Sequence, residues 1–250
     1  MVRFQLDNRR WNKIEAILAL RRTAGRPGND NRKFIEAVLW WRRTGVPWRD
    51  LPEEFGPWTT VFNRFDRWSK KGIWTSLFEA LQSDRDDEWH SIDSTVNRAH
   101  QHAAGAKGGA ADHGIGRSRG GLSTKIHLVV DALGLPIVFE ITEGQRHDSR
   151  PASTLVQRAM SNRLLADKAY DSDSFRAALN DQGCLPVIPS NRSRAERLPF
   201  DKELYKARSE IECTFNLLKQ ARRFATRYEK TLRNYAAVVA IGCALLWLRF

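Results

Sequence analysis

The hydrophobic pattern of this chain changes near residue 85, and that change limits most strongly the folds the chain can adopt. Before it, apolar residues recur at the three- and four-residue spacing of helices. After it, three short apolar segments follow one another and then alternate with helical stretches, an order typical of α/β proteins. We therefore predict a small all-α domain over residues 1–84, followed by an α/β domain over residues 85–250.

The first domain has the element order of a helix-turn-helix DNA-binding protein. The spacing predicts helices over Arg9–Leu20, through Phe34–Trp41 and over Trp58–Lys71, with a short helix and a glycine-containing turn before the last. Trp58–Lys71 is the expected recognition helix. Its polar side chains are expected to contact DNA, namely Thr59, Thr60, Asn63 and Arg64. We expect residues 1–84 to fold alone as a DNA-binding fragment.

The second domain combines short strands with longer helices. Strands are predicted over residues 88–96, 123–131, 136–142, 163–167 and 185–188. Helices are predicted over residues 149–160, 171–182, about 200–220 and about 232–248. Residues 103–121 hold seven of the sixteen glycines and are expected to form a mobile loop.

The charge balance favours a polyanionic partner. Forty-one basic and twenty-nine acidic residues give a net charge of +12, and a nucleic acid explains this surplus better than solubility alone. Three scattered cysteines exclude a disulfide framework and a cysteine zinc site. The N-terminus lacks an export signal, and the longest apolar run, Ala236–Leu248, is shorter than the ~20 residues of a membrane span. A cytoplasmic protein without membrane contact is therefore expected.

Carboxylates at the ends of apolar strands are the strongest sign of chemistry. Asp93 lies within the first predicted strand, and Asp167 ends the fourth. A carboxylate in such a place costs desolvation energy unless it is paired, hydrogen-bonded or bound to a metal. Asp171 begins a predicted helix and is expected to cap it, whereas Asp167 has no such local use.

A polar stripe on the helix predicted over residues 200–220 adds a third acid. Tyr205, Arg208, Glu212 and Lys219 fall within a ~60° arc of that helix, whereas Glu210 points about 200° away from Glu212. The stripe fits equally well a solvated face on which Arg208 and Glu212 form an i,i+4 ion pair. Two aspartates and a glutamate are also hard oxygen ligands suited to two Mg²⁺ ions, which promote in-line phosphodiester displacement.

These residues are similar to the signature of a known family. Asp93, Asp167 and the pattern Tyr205-x2-Arg208-x3-Glu212-x6-Lys219 resemble the DDE transposases of bacterial insertion sequences, specifically the insertion-sequence-5 family. Six further tracts are similar to that family, so the resemblance covers essentially the whole chain: residues 25–27, 44–52, 55–61, 120–125, 144–149 and 221–228. The sequence departs from the family at Ala169, where glycine is common, and at Cys213, where a basic or bulky residue is usual. The 44 residues between Asp167 and Glu212 leave no room for the large β-rich insertion of some related transposases.

The resemblance implies an RNase H-like catalytic fold with a mixed sheet and helices, and metal-dependent DNA cleavage and strand transfer at terminal inverted repeats. It implies two Mg²⁺ ions, replaceable by Mn²⁺, and a homodimer or larger oligomer on the DNA of element ends and target, associated with the bacterial nucleoid. Asp93, Asp167 and Glu212 are then the catalytic, metal-binding residues. Further DNA contacts are expected from basic and polar side chains: Tyr205, Arg208, Lys219, Arg222, Arg223, Lys125, Arg117 and Arg119.

Two other functions fit the same sequence. A helix-turn-helix repressor would bind DNA through residues 31–71 and keep an inactive catalytic-like domain for dimerisation. A repair nuclease of RNase H-like fold would cleave DNA according to its structure rather than at element ends. Metal-dependent nicking separates the repressor from the enzymes, and the position of cleavage separates the two enzymes.

Overall fold

The computed structural model describes residues 6–20 and 30–249 of the chain. The helices there are α1 Asn8–Ala19, α2 Asn31–Thr44, α3 Trp58–Lys70, α4 Ile73–Ala80, α5 Ser149–Arg158, α6 Asp173–Asn180, α7 Lys202–Tyr205, α8 Ser209–Lys219, α9 Arg222–Ala225 and α10 Leu232–Trp247. The strands are β1 His90–Ala99, β2 Gly116–Ser118, β3 Gly121–Val130, β4 Pro136–Glu143, β5 Arg163–Leu165, β6 Leu185–Val187 and β7 Thr226–Arg227. The chain divides into two compact units. The helical unit joins Met1–Ser83 to Leu218–Phe250, and the sheet unit is Asp84–Leu217.

An aromatic cluster forms the core of the helical unit. The Trp41 ring of α2 stacks on Trp48 with 3.8 Å between centroids and 18° between planes. Phe65 of α3 lies against Trp41 at 5.3 Å, and Trp74 of α4 lies against Phe65 at 6.0 Å. Large rings bury much apolar surface for few residues, so this cluster joins α2, α3 and α4 into one core.

The C-terminal helix α10 completes the same unit. It packs on α4 and α3, and Val238, Ala240 and Cys243 within it are fully buried. At its end, Leu248 O accepts a hydrogen bond of 3.2 Å from Arg10 Nε of α1. A helix that is apolar almost all round must be covered by its neighbours. No helix in the described ranges, α10 included, is both long and apolar enough to pass through a bilayer.

This arrangement differs from the predicted division of the chain at residue 84. Residues 218–250, expected in the second domain, belong to the helical unit. A fragment of residues 1–84 would leave uncovered the apolar faces of α3 and α4 on which α10 packs. This packing argues against the expectation that the fragment folds alone, because part of its core is supplied from the other end of the chain.

The sheet unit is built around β1. Strand β1 pairs antiparallel with β3, Asp93 lying opposite Leu128, and parallel with β5, Ser91 lying opposite Leu165. Strand β3 pairs antiparallel with β4 and β2, and β5 pairs parallel with β6. The order β4–β3–β1–β5–β6, antiparallel in its first half and parallel in its second, is that of the RNase H-like fold. The predicted α/β class with a mixed sheet is confirmed.

The two faces of this sheet have separate cores. On one face, Ile92 and Val129 of the strands pack with Leu155 of α5 and Phe175 of α6. On the other face, Trp89, Leu165 and Val187 pack against residues of and before α7, namely Phe200, Leu204 and Tyr205.

Helix α8 is anchored at the turn between β3 and β4. Thr214 Oγ1 donates to Gly134 O at 2.5 Å. Gly134 adopts a φ of 74°, and a Cβ there would lie 3.2 Å from the Thr214 hydroxyl and 3.3 Å from Glu210 Cβ. Only glycine meets both the left-handed backbone and this close approach without strain.

The glycine-rich segment 103–121 is folded over much of its length, unlike the predicted mobile loop. Strand β2 pairs with the start of β3, and Ile115 is buried with Ala99 and Ala103 in a small separate core. Thr124 Oγ1 of β3 donates to Gly114 O at 2.7 Å. Composition alone missed these contacts because they join small residues to partners on neighbouring strands.

Candidate active site

The register of β1 and β5 brings the two predicted aspartates together. Ser91 and Leu165 are partners in the parallel ladder. Asp93 lies two residues after Ser91, and Asp167 lies two residues after Leu165. In extended backbone every second side chain lies on the same face of the sheet. The two carboxylates therefore share one face of the sheet at neighbouring positions.

Each aspartate is also held by the local backbone. Asp93 Oδ1 accepts the Ser94 N–H at 2.7 Å. Asp167 Oδ1 accepts the Ala169 N–H at 2.8 Å and caps the 3-10 turn Lys168–Tyr170. The expectation that Asp167 has no local use is thus wrong, although this bond leaves its other oxygen outside the cap.

The third acid comes from the helical segment predicted over residues 200–220, which is not one continuous α-helix. A 3-10 turn, Lys206–Arg208, separates α7 from α8. The predicted stripe still forms in part: the Arg208 guanidinium lies 6.0 Å from the centre of the Tyr205 ring and donates to Glu212 Oε1. Its other terminal nitrogen lies 3.0 Å from Asp93 Oδ2. Arg208 therefore bridges Asp93 and Glu212.

Electrostatics link these groups. Burial raises the pKa of Asp93, and the neighbouring charge of Asp167 adds to that rise, while the Ser94 N–H and Arg208 oppose it. Burial alone would lower the pKa of Arg208, but the charges of Asp93, Tyr205 and Glu212 outweigh it and the pKa is raised. The region thus gathers negative charge that one cation only partly balances.

The donor set fits a hard divalent cation in its chemistry. Asp93, Asp167 and Glu212 offer carboxylate oxygens, the ligands Mg²⁺ prefers. The Tyr170 hydroxyl behind them is buried and has no well-aligned hydrogen-bond partner among the described residues. Burial, followed by the charges of Asp148, Asp93 and Asp167, raises the pKa of this phenol. In the described ranges no three His, Cys, Asp or Glu side chains are grouped closely enough to hold a metal. Arg208 lies between Asp93 and Glu212 and pairs with both.

A second charged network, which sequence reasoning missed, lies beside the acids. Asp148 Oδ1 accepts from Ser94 Oγ at 2.8 Å and from Lys125 Nζ at 2.9 Å. His127 lies fully buried, with Nδ1 3.7 Å from the same oxygen. The available signal was the tract 144–149, whose resemblance to the family had no function attached to it. Because Ser94 follows Asp93 on β1, this network fixes the strand that carries the first acid.

Two family models cover most of the chain. One, described as "Transposase DDE domain", matches residues 86–247. The chain belongs to the DDE transposase family. The other model, described as "Putative transposase of IS4/5 family", matches residues 6–78 of this transposase.

Curated relatives of the transposase carry the same kind of name. The chain is 41% identical over 130 residues to the "Putative transposase for insertion sequence element IS6501" of Brucella ovis. This match covers 51% of the chain and 100% of the Brucella protein. The chain is also 30% identical over 135 residues to the "Putative transposase for insertion sequence element IS402" of Burkholderia cepacia. This match covers 49% of the chain and 62% of the Burkholderia protein. A piggyBac transposase synaptic complex with hairpin DNA shares 12% identity and a TM-score of 0.48, over 98% of this chain and 72% of that one.

The transposase exposes most of the side chains predicted to contact DNA. Thr59, Thr60 and Asn63 are exposed on α3. Four basic side chains are exposed as well: Arg117, Arg119, Lys219 and Arg222. Tyr205 and Arg208 are half-buried at the acids described above. These positions remain available to a ligand of the transposase.

Three predicted DNA contacts are instead used within the protein. Arg223 is buried and its guanidinium lies 2.8 Å from Glu229 Oε1, so its assignment to DNA is corrected. Lys125 Nζ is held by Asp148 and donates to Arg146 O at 2.7 Å. The Arg64 guanidinium lies 4.3 Å from the centre of the Phe34 ring and is half-buried. Sequence charge alone does not reveal these internal partners.

The rival acids are Asp171, compared above with Asp167, and Glu210, compared above with Glu212, and the structure gives both of them other surroundings. Asp171 does not cap α6, because Ser172 performs that role. The Asp171 carboxylate is fully buried and binds Arg176 at 2.7 Å and Arg194 at 3.0 Å. Glu210 is exposed on α8 with its Cβ toward Gly134, away from Arg208. Neither rival takes part in the group formed by Asp93, Arg208 and Glu212.

Proposed function

We propose that this transposase binds the terminal inverted repeats of an insertion sequence and catalyses metal-dependent DNA strand cleavage and strand transfer. The observation that carries the proposal is that the parallel register of β1 and β5 puts Asp93 and Asp167 on one face of the sheet, with Arg208 joining Asp93 to Glu212. Both family models and the curated relatives support the same reaction class.

Asp93, Asp167 and Glu212 would hold the cations, two Mg²⁺ ions for which Mn²⁺ can substitute. When bound, two such ions lower the cost of activating the attacking oxygen and stabilise the leaving oxygen of a phosphodiester. The burial of Asp93 excludes water from one side of the site, which strengthens its electrostatic interactions. Arg208 and Tyr205 flank the acids and would orient the scissile phosphate.

DNA would be bound by both units. We assign sequence recognition to Thr59, Thr60 and Asn63 on α3, since side chains on an exposed helix face can reach base edges in a major groove. Arg117, Arg119, Lys219 and Arg222 would contact phosphates, which position the duplex without reading sequence. The net charge of +12 favours both element ends and target DNA as partners. Cleavage at two ends calls for a homodimer or larger oligomer on the DNA, acting at the bacterial nucleoid.

A cleavage assay on DNA carrying the element's own ends tests this proposal. Asp93→Asn, Asp167→Asn and Glu212→Gln are each expected to abolish Mg²⁺-dependent nicking while end binding, measured by gel shift, persists. Glu210→Gln is the matched control, because it removes the same charge from the same helix outside the acid group.

Three results would contradict the proposal. Nicking that survives in Glu212→Gln but is lost in Glu210→Gln would show that the wrong glutamate was assigned. Wild-type protein that binds the ends but never nicks them with Mg²⁺ or Mn²⁺ would be a repressor. Cleavage that follows DNA structure regardless of the ends would indicate a repair nuclease.

A further inference from the structure

The position of Arg208 between two of the three acids carries a consequence for metal binding. One guanidinium nitrogen lies 3.0 Å from Asp93 Oδ2, and another donates to Glu212 Oε1. Because Asp93 Oδ1 accepts the Ser94 N–H, both oxygens of Asp93 already have donors. A cation bound by Asp93 and Glu212 would compete with Arg208 for Asp93 Oδ2 and Glu212 Oε1.

A guanidinium is suited to hold two carboxylates in this way. It is planar, carries its charge at all relevant pH values and presents its N–H groups as a rigid fork. The Arg208 side chain is 19% exposed and that of Asp93 is 23% exposed, so this ion pair is partly shielded from water, whereas Glu212 is exposed. Without a positive charge here, Asp93 would lie partly buried beside Asp167 with no counter-ion.

We propose that Arg208 is a positioning residue that takes the place of a cation in the metal-free protein, holding Asp93 and Glu212 until a divalent cation displaces it from the same oxygens. This inference rests on the proposed function, since it takes the acids as metal ligands. Displacement leaves a free guanidinium beside the acids, where the DNA phosphate is bound. Binding of the cation and binding of the phosphate then favour each other, because coupling between two sites is reciprocal.

The chain offers a matched control two residues away. Lys206 carries the same charge as Arg208, and its Nζ lies 2.6 Å from Glu203 Oε2. Both members of that pair are exposed, and neither belongs to the acid group. Lys206→Gln therefore changes the net charge of the same turn without freeing Asp93 or Glu212.

Binding of Mn²⁺ to the metal-free full-length protein, measured by isothermal titration calorimetry without DNA, tests the inference. Arg208→Gln is expected to bind Mn²⁺ on the order of tenfold more tightly than wild type, since the cation no longer competes with Arg208 for the carboxylates of Asp93 and Glu212. Mn²⁺ should also raise the melting temperature of Arg208→Gln more than that of wild type. Lys206→Gln should match wild type in both measurements.

Unchanged or weaker Mn²⁺ binding by folded Arg208→Gln protein would overturn the inference and leave the proposed function standing. An equal gain in Lys206→Gln would also overturn it, because net charge would then explain the effect. If Arg208→Gln does not fold, Arg208→Lys replaces it: a lysine has no fork to span two carboxylates, so tighter binding than wild type is still expected. Mn²⁺ affinity that is the same in wild type, Asp93→Asn and Asp167→Asn would instead refute the metal site of the proposed function.

Discussion

Replacing Arg223 should destabilise the protein rather than weaken DNA binding alone. Its side chain is 7% exposed and that of Glu229 is 6% exposed, with 2.8 Å between Nη1 and Oε1. The other terminal nitrogen donates to Val46 O at 2.6 Å, and the guanidinium lies 4.0 Å from the centre of the Trp41 ring. Removing one partner of a buried ion pair costs ~3–5 kcal/mol, because the other charge stays buried without compensation. We expect Arg223→Gln to lose about 4 kcal/mol from the free energy of unfolding of the helical unit.

Urea unfolding followed by tryptophan fluorescence measures this loss. Eight of the nine tryptophans lie in the helical unit and only Trp89 in the sheet unit, so the signal reports the right part of the chain. Arg222→Gln is the control, since that neighbouring side chain is exposed and should change stability by less than ~0.5 kcal/mol. The double variant Arg223→Met/Glu229→Leu should recover most of the loss, because apolar replacements of a whole buried pair are often neutral. Equal stability of the two single variants, with DNA binding weakened in Arg223→Gln, would refute the reasoning and restore Arg223 as a DNA contact.

Two further predictions concern buried groups of each unit. Burial and the charges of Lys125 and Arg146 lower the pKa of His127 to about 4, although the charge of Asp148 opposes this. In the unfolded chain this pKa is near 6.5, so as the pH is lowered the unfolded chain binds the proton first. The free energy of unfolding should therefore fall as the pH is lowered from 6.5 to 4. The difference in this free energy between wild type and His127→Gln, measured by urea unfolding, should change by about 3 kcal/mol across that window, and a constant difference would contradict the prediction. Gly242→Ala on α10 should destabilise by ~1–3 kcal/mol, although alanine favours helices, because its Cβ would lie 2.1 Å from a buried Arg42 nitrogen. A melting temperature at or above that of wild type would show that Arg42 can move aside.

The spacing of apolar residues predicted those helices and strand ends that depend on residues close together in the sequence. Helix α3 was expected over Trp58–Lys71 and lies at Trp58–Lys70, because its apolar face repeats at helical spacing. The aspartates could be chosen from the sequence because each stands at an apolar strand, where a carboxylate needs a partner. Their meeting on one face then follows from the parallel register of β1 and β5.

The remaining features depend on partners far away in the chain. Asp171 was expected to act within its own turn, yet it binds Arg194 from 23 residues further on. Arg223 stands in a basic tract that is typical of an exposed surface, and its partner Val46 O is 177 residues away. The break of the 200–220 helix at Lys206–Arg208 places Arg208 between two acids, which an ideal helical wheel does not describe.

The division of the helical unit between the two ends of the chain has a consequence for its synthesis. Helices α1 to α4 leave the ribosome first, but α10 follows only after residues 84–217 have been translated, on the order of 10 s later. During that time α10 is not yet present to pack on α3 and α4. A product that stops within residues 84–217 lacks α10 as well as part of the sheet unit. Such a product is expected neither to cut DNA nor to occupy its ends as an inhibitor, because the surface proposed to recognise DNA matures only with the last helix.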